Sequence, residues 1–372
     1  MKHVLKVYDA ELTAEGPVFI GNGKKIGKKE YAFSPWKKQI SVLDPSKLSD
    51  LLSKKNLISK YGAFMLGSSR EDLGKWLINN QVAEEEYMPC VRYHLDCQDA
   101  VIDTNSKLTV LEFVKDAYGL PYVPGSSIKG MLRTVLLAYD IRKHSQKYKE
   151  LKENIETNIR SNRGKRRNIC KRESGEIESC CFRTLERPGT RKHDAVNDQM
   201  AGIIVSDSEP LSVDDLVLCQ RVELHTDGKE RKLNMLREML RPGTKIRFQV
   251  TIDASICDMT EKDINQAVSY FGKNYFECFL QKYPGMDAPS EQSVWLGGGA
   301  GFVTKTEVYP LFGTSPGVEL TARIFKAVGV PDKHGHGKDK GLGVSPHICK
   351  VADYHGTRHP VGQCRLRLFT HP

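Results

Sequence analysis

Two serine hydroxyls and two cations fall within residues 121–133, which read Pro-Tyr-Val-Pro-Gly-Ser-Ser-Ile-Lys-Gly-Met-Leu-Arg. The second proline keeps the residue before it extended and cannot lie inside a helix, so a helix is predicted to begin just after it. Either Ser126 or Ser127 is predicted to cap that helix. Lys129 and Arg133 lie one turn apart on one face, close to the free N–H groups of the helix N-terminus. The combination suits a phosphate group, and an ordinary solvated helix start is the alternative.

A glycine-rich segment, residues 294–306, is the second candidate for chemistry. Four glycines occupy the five positions 297–301, and Thr304 and Lys305 follow them. Glycine allows a backbone to approach another group closely, although a flexible hairpin would use the same residues. The segment has neither the Gly-Lys-Ser/Thr of a P-loop nor a Gly-x-Gly-x-x-Gly between a strand and a helix, so no nucleotide cofactor is predicted.

The formal net charge of +10 favours a polyanionic partner. Residues 142–192 hold 16 Lys or Arg and 7 Asp or Glu, so this segment alone carries +9. Hydrophobic periodicity fades over the same stretch, which predicts a partly mobile basic insertion at about 145–199. Four cations at its centre are further candidates for phosphate contacts: Arg163, Lys165, Arg166 and Arg167.

The sequence shows no obvious catalytic cluster. A metal-dependent nuclease needs several carboxylates that converge on one or two cations. Asp194 and Asp198 lie in the basic insertion, and Asp207, at the end of a predicted strand, is predicted to act as a cap or to pair with a cation. A metal-free nuclease needs a positioned histidine as general base. Nothing nearby in the sequence assigns that role to His94, His193 or His225.

The possible metal ligands are similarly scattered. Cys170, Cys180, Cys181 and His193 all lie in the insertion, but they include no Cys-x-x-Cys pair. No metal site is predicted. Zinc stays open as an alternative, because a small insertion without a core often needs a bound metal ion to stabilise it. His334-Gly-His336 is interpreted as an exposed glycine-rich loop.

Length and composition indicate the class of protein. The chain has 372 residues and 39% hydrophobic content, enough for two globular domains. Its ten cysteines follow no framework spacing, its start lacks an apolar signal region, and no run approaches the roughly 18 apolar residues of a membrane helix. These features predict an intracellular protein with reduced thiols and no membrane partner.

Several elements can be predicted from periodicity and from helix caps. Helices are predicted to open at Asp44-Pro45 and end near Gly62, to run from Ser126 to about Tyr139, and to follow a Thr260 cap. Strands are predicted at residues 3–12, 201–205, 216–224 and 247–253, with the third as the partner of the second.

The remaining segments set the predicted organisation. Residues 17–23 read as a glycine-bounded turn, and residues 107–116 as a short strand or helix. The polar residues 225–243 read as a boundary between two halves. Strand, helix and strand recur in both halves, which predicts two α+β units.

Four separated segments together resemble one family. They are the Pro-Val-Phe-Ile-Gly-Asn-Gly turn at residues 17–23, the helix start at 122–133, Val-Ser-Asp-Ser at 205–208, and the glycine-rich loop at 297–306. In this order they resemble the RAMP superfamily, the repeat-associated RNA-binding proteins of CRISPR systems. Within it they are similar to the fifth subunits of type III-A (Csm) effector complexes. The resemblance is weak at 141–200 and in the last 60 residues, where only 343–368 follows the pattern.

The resemblance implies an α+β fold of two ferredoxin-like (RRM-like) RAMP units. The first would span residues 1–230 and include the basic insertion, and the second would span 231–372 with its glycine-rich loop at 297–301. Many relatives have His where this chain has Phe19, so a polar contact at that position is in doubt. Together with the basic run, the resemblance gives a set of expected RNA-binding residues: Ser126, Ser127, Lys129, Arg133, Arg163, Lys165, Arg166, Arg167, Gly298, Gly299, Gly301 and Lys305.

The function implied is that of a non-catalytic, cytoplasmic subunit that binds the CRISPR RNA. Such a subunit covers the 3′ end of the RNA, aids its maturation and contacts a neighbouring backbone subunit of the effector complex. The alternative is an endoribonuclease of the same superfamily, dependent on a metal or a histidine, that processes CRISPR RNA. Because residues 285–310 contain no histidine, the binding function is favoured.

Overall fold

Strands and helices are mixed along the chain. The computed structural model describes residues 5–97, 99–100, 109–161 and 168–370. The strands in these ranges are β1 Leu5–Ala14, β2 Gly21–Ile26, β3 Tyr31–Ser34, β4 Gln39–Leu43, β5 Val91–Asp96, β6 Val110–Phe113, β7 Ile203–Val205, β8 Leu216–His225, β9 Glu230–Leu240, β10 Lys245–Asp253, β11 Ser293–Trp295, β12 Ile348–Tyr354, β13 Thr357–Pro360 and β14 Gln363–Thr370. The α-helices there are α1 Pro45–Lys54, α2 Ile58–Leu66, α3 Leu73–Asn79, α4 Glu84–Tyr87, α5 Gly125–Lys143, α6 Lys149–Ser161, α7 Lys171–Phe182, α8 Glu261–Cys278, α9 Val308–Phe312, α10 Thr314–Ala327 and α11 Asp339–Leu342.

The first sheet has five antiparallel strands in the order β11-β14-β1-β10-β7. Helices α5 and α8 pack against each other beside it. Along the chain, these two helices and four strands of the sheet follow one another in the order β1-α5-β7-β10-α8-β14. The predicted alternation of β10 is confirmed, because Ile246, Phe248 and Val250 are buried while the residues between them face outward. The predicted Thr260 cap of α8 is also confirmed.

The second sheet has the strand order β2-β6-β9-β8-β5-β4-β3, and β12 adds to β8. Residues 216–224 form a strand as predicted, but the predicted pairing with residues 201–205 is wrong. β8 turns at residues 225–229 and pairs with β9, while β7 pairs with β10 in the first sheet. The polar stretch 225–243 is therefore a hairpin turn and a strand. The strand begins with three consecutive exposed residues, 230–232, and becomes buried towards its end at Glu238, Met239 and Leu240.

Helices α1 to α4 form a small layer with its own apolar core between β4 and β5. Asp44 caps α1 as predicted, accepting hydrogen bonds from the Ser46 and Lys47 N–H groups at 2.9 and 3.1 Å. The single helix predicted as far as Gly62 is wrong. It breaks at Asn56, which adopts a left-handed φ of 58°, and Gly62 lies inside α2.

The basic insertion contains two helices, α6 and α7, so the predicted lack of a packed apolar face is wrong. Ile155 and Ile159 of α6, and Ile177 and Phe182 of α7, are buried in the main core. The apolar residues are sparse, about one per turn, and the surrounding charges obscure their spacing in the sequence.

Both sheets contain strands from either side of residue 230. β1 pairs with β10 and β14, and β9 pairs with β8 and β6. The division into residues 1–230 and 231–372 stays a prediction. The predicted turn at 17–23 gives way to β2 at Gly21, and the ambiguous stretch 107–116 contains strand β6.

Candidate nucleic-acid interface

The start of α5 is capped from another segment of the chain. Asp207 Oδ1 accepts a hydrogen bond from the Gly125 N–H group at 2.7 Å, as its predicted capping role requires. The predicted serine cap is wrong, because Pro124 occupies the N-cap position and Ser126 and Ser127 fall within the first turn. The Asp207 carboxylate also places negative charge at the helix N-terminus. Because it already accepts from the Gly125 N–H group, that group is not available to a phosphate.

Two segments that the sequence analysis selected separately lie against each other here. Val123 donates its N–H group to Ser208 Oγ, and the Ser208 N–H group donates to the Val123 carbonyl oxygen, both at 2.9 Å. A Cβ atom on Gly125 would lie only 2.4 Å from the Val205 carbonyl oxygen. Glycine is therefore required at residue 125, where α5 crosses the end of β7.

Lys129 and Arg133 differ in their surroundings, although they share one face of α5. Arg133 forms ion pairs with Asp198 at 2.9 Å and Glu178 at 3.0 Å, and its guanidinium lies 4.2 Å from the centre of the Phe182 ring. It holds the insertion against α5. Burial, with a smaller contribution from Arg133, lowers the pKa of Lys129 despite the opposing charge of Asp198, and no ion pair of Lys129 occurs among the described residues. Lys129 remains the better candidate for a ligand contact.

The glycine-rich loop packs against the segment at residues 17–23. The Gly298 N–H group donates to the Phe19 carbonyl oxygen at 2.7 Å. A Cβ atom on Gly297, whose φ is 83°, would lie 2.2 Å from that oxygen. Gly299 and Gly301 also have left-handed φ angles, of 94° and 105°. The structure thus brings two of the family-like segments together, and glycine is what permits the close approach.

Arg237 joins the loop to the sheet. Its Nη1 atom donates to the Gly298 carbonyl oxygen at 3.3 Å, and its guanidinium lies 4.8 Å from the centre of the Phe19 ring. A Cβ atom on Gly299 would lie 2.3 Å from the same Nη1 atom. Phe19 is therefore an apolar support for an arginine, which is a role that a histidine would fill less well when protonated.

Arg237 belongs to a cluster of four cations, which we call the basic face: Arg221 of β8, Arg237 of β9, Lys350 of β12 and Lys305 after the glycine-rich loop. Burial and then the charge of Arg221 lower the pKa of Arg237. Burial, followed by Arg221, Arg237 and Lys305, lowers the pKa of Lys350 despite the opposing effect of Glu223. One carboxylate, Glu223, lies 2.8 Å from Arg221. Such concentrated positive charge favours a polyanion.

Three of these four residues could not be predicted from the sequence. Arg221, Arg237 and Lys350 lie on three different strands, and β-pairing brings them together. Glu223 pairs with Lys350, and Cys219 pairs with Arg237. The only local signal was the alternation along β8, in which Arg221 and Glu223 occupy the more exposed positions.

A buried ion pair fixes β9 behind the basic face. Glu238 is fully buried, and its Oε2 atom accepts from the Lys115 ammonium at 2.5 Å and from the Phe113 N–H group at 2.9 Å. Tyr93 donates its hydroxyl to the other carboxyl oxygen at 2.5 Å. Because a buried carboxylate is stable only when it is fully paired, this network holds β6 and β9 in register.

The remaining candidates lie elsewhere. Arg163, Lys165, Arg166 and Arg167 lie outside the described residues. All ten cysteines are free, and no three of Cys170, Cys180, Cys181 and His193 bring ligand atoms together. Asp194 accepts from the Arg191 N–H group, and His94 contacts Ser41 at 3.0 Å, both away from the glycine-rich loop. Within the described ranges, no helix is both long and apolar enough to span a bilayer.

Comparison with known proteins agrees with this geometry. The sequence model of the RAMP superfamily matches residues 11–282. The CRISPR system Cms protein Csm5 of Mycobacterium tuberculosis is 30% identical over 99% of both chains. The Streptococcus thermophilus protein of the same name is 26% identical and aligns over 82% of this chain and 81% of its own.

Solved structures show the same fold. A chain in the cryo-EM structure of a Csm–crRNA–target RNA ternary complex has a TM-score of 0.64 at 19% identity, covering 97% of this chain and all of that one. The crystal structure of T. onnurineus Csm5 has a TM-score of 0.61 at 17% identity and covers 95% of this chain and 99% of that one. With the family-like segments assembled in one structure and a curated relative matched over nearly its whole length, the chain belongs to the RAMP superfamily and, within it, to the Csm5 family.

Proposed function

We propose that this chain is a non-catalytic RNA-binding subunit of a type III-A CRISPR effector complex. It covers the 3′ end of the CRISPR RNA, aids RNA maturation and contacts a neighbouring backbone subunit in the cytoplasm. The observation that carries the proposal is the basic face, where four cations lie close together and one of them, Arg237, contacts the glycine-rich loop. A related chain is part of a Csm–crRNA–target RNA complex, which supports the same class of ligand for this one.

The finer architecture is part of this proposal. The order β1-α5-β7-β10-α8-β14, with β14-β1-β10-β7 as neighbours, is the β-α-β-β-α-β arrangement of a ferredoxin-like unit. We assign the second RAMP unit to the sheet that carries the basic face. In this assignment both units combine strands from early and late in the chain.

The RNA contacts are proposed at two places. Lys305, Lys350 and Arg221 offer positive charge to the phosphates, and Gly298, Gly299 and Gly301 let the backbone approach. Ser126, Ser127 and Lys129 of α5 are the second set, and Arg163, Lys165, Arg166 and Arg167 remain further candidates. Arg133 leaves the set, because two carboxylates and the Phe182 ring already occupy its guanidinium.

The test is a salt titration of single-stranded RNA binding. Affinity is expected to fall with salt with a log–log slope of about −0.7 per neutralised phosphate. The double variant Lys305→Ala/Lys350→Ala should lower the affinity and reduce the slope by about 1.4 if both lysines meet phosphates. Each desolvated contact should cost on the order of 1.5–3 kcal/mol.

A matched variant controls for net charge. Lys54→Ala/Lys326→Ala removes two exposed lysines that lie outside both candidate sets, and it should change affinity far less. Equal losses in the two double variants would show only a general charge effect and contradict the basic face. A slope near zero for the wild type would contradict electrostatic RNA binding altogether.

A further inference from the structure

A cluster of two histidines and an aspartate lies between α10 and β12. Asp339, the first residue of α11, is fully buried. Its Oδ1 atom lies 2.6 Å from His347 Nδ1, and its Oδ2 atom lies 3.0 Å from His336 Nδ1. Both imidazoles are mostly buried, with 12% and 17% of their side-chain surfaces exposed. The predicted exposed loop at His334-Gly-His336 is therefore wrong for His336.

The buried carboxylate needs polar partners that replace its solvent. Removing an ionised carboxylate from water is costly unless a cation or several hydrogen bonds replace the solvent. Among the described residues, the ion-pair partners of Asp339 are His336 and His347, and no lysine or arginine nitrogen lies within 4.0 Å of its carboxylate. A metal ion held by the same side chains would supply such a cation.

The donor set matches a metal site. Two imidazole nitrogens and a carboxylate oxygen are ligands that Zn²⁺ accepts, and these atoms all lie within 4.8 Å of one another. A metal would take the Nδ1 lone pairs, and each neutral imidazole would then carry its proton on Nε2. Three protein ligands leave a further position for solvent.

The surroundings hold these ligands in place. Ser345 donates its hydroxyl to Asp339 Oδ2 at 2.6 Å, and Tyr309 donates its hydroxyl to the Ser345 carbonyl oxygen at 2.6 Å. The His336 ring packs between Phe325 and the His347 ring, with centroid distances of 4.5 and 5.0 Å. Such outer contacts orient ligands in metal sites and restrict their movement.

We propose that His336, Asp339 and His347 form a binding site for a divalent transition metal of the zinc class. The metal would fix the glycine-rich segment at residues 331–347 onto the end of β12. This site shares no residue with the basic face, and the proposal does not depend on the proposed RNA function.

The experiment measures metal content on the full chain. The protein is stripped with a chelator, reloaded with Zn²⁺, desalted and analysed for bound metal, and its affinity is measured against a competing indicator. About one Zn²⁺ per chain is expected for the wild type and for His334→Ala, whose histidine is exposed in the same segment. His336→Ala and His347→Ala should each weaken binding by about 100-fold or more, and Ser345→Ala by about 10-fold.

Two results would overturn the proposal. The first is a reloaded wild type that retains no more zinc than His347→Ala. The second is a cobalt-loaded wild type whose visible spectrum matches free Co²⁺, because bound imidazole and carboxylate would change it. Circular dichroism checks that each variant folds. The cobalt spectrum of the wild type tests the proposal even if a variant fails to fold. Either result would leave the cluster as a set of hydrogen bonds that ties His336 and His347 to Asp339.

Discussion

Glu307 follows the glycine-rich loop and carries a carboxyl oxygen that the fold leaves without a partner. Its Oε2 atom is excluded from solvent and has no hydrogen-bond partner among the described residues. Burial, with a smaller effect from Glu178, raises the pKa of Glu307 to about 8, from an ordinary value of 4.5. The folded chain therefore holds a proton on this residue at neutral pH that the unfolded chain releases.

Glu307→Gln should stabilise the protein at alkaline pH. Between about pH 4.5 and 8 the folded state binds more protons than the unfolded state, so this group makes the wild type less stable as pH rises. The variant lacks that loss and should gain roughly 1–3 kcal/mol at pH 8.5, with little gain at pH 4.5. Urea unfolding of the variant and the wild type at both pH values measures this difference in the free energy of unfolding. Glu291→Gln, at an exposed position, is the control, and a pH-independent difference for Glu307→Gln would contradict the assignment.

Gly125→Ala should destabilise the fold, whereas Gly130→Ala in the same helix should not. A Cβ atom at Gly125 would meet the carbonyl oxygens of Val205 and Ser206 at 2.4 and 2.5 Å, and backbone cannot move aside cheaply. The expected cost is about 1–3 kcal/mol. A Cβ atom at Gly130 meets nothing within 4 Å, so its substitution should stabilise by up to about 1 kcal/mol. Thermal or urea unfolding compares the stability of each variant with that of the wild type.

At the scale of elements, one arginine links α7 to α5 in addition to the buried apolar residues of α7. Arg133 of α5 contacts Glu178 of α7, Asp198 beyond it and the Phe182 ring. These ion pairs are partly exposed, so each contributes modestly, and the ring contact adds to them. The insertion is therefore an integral layer of the fold whose attachment can be weakened at a single residue.

Arg133→Ala should loosen α7 without unfolding the protein. Losing these contacts should lower the local stability by about 1–2 kcal/mol, so amide hydrogen exchange over residues 171–182 should accelerate roughly 5–30-fold. Lys129→Ala, one turn earlier on the same face, is the control and should leave exchange in α7 unchanged. Equal exchange in Arg133→Ala and wild type would show that the apolar contacts of α7 are sufficient.

The elements that could be predicted were those with a strong local pattern. β10 alternates over its whole length, and α8 has a capping threonine followed by a continuous apolar face. α6 and α7 were missed because their few buried residues lie among many charges. The basic face could not be predicted, because Arg221, Arg237 and Lys350 meet only through strand pairing. The family-like segments identified the glycine-rich loop, but not its contact with Arg237.

At the scale of the whole molecule, the candidate catalytic residues are dispersed or already used. Asp207 caps α5, Asp198 pairs with Arg133, and His225 packs against the His347 ring at a centroid distance of 5.8 Å. None of these groups lies in the basic face. This dispersal among the described residues is consistent with the proposed RNA-binding function.

The purified protein is expected to leave RNA intact. RNA labelled at the 3′ or 5′ end should survive incubation with magnesium, manganese or EDTA, because hydrolysis needs convergent carboxylates or a positioned base. Cleavage by the wild type that disappears in Asp207→Asn would contradict the binding function and favour the nuclease. Cleavage that persists in Asp207→Asn would point first to a contaminating enzyme.

The position of β1 has a consequence for how the protein is made. β1 is the central strand of its sheet, and its two neighbours are β10 and β14, both far along the chain. At typical synthesis rates, the first strand leaves the ribosome on the order of ten seconds or more before either neighbour. During that interval both edges of β1 lack their partners, which is the condition under which strands pair with other chains. The sheet can close only after β14 has been synthesised, so chains that stop before β14 would be fragments prone to aggregation.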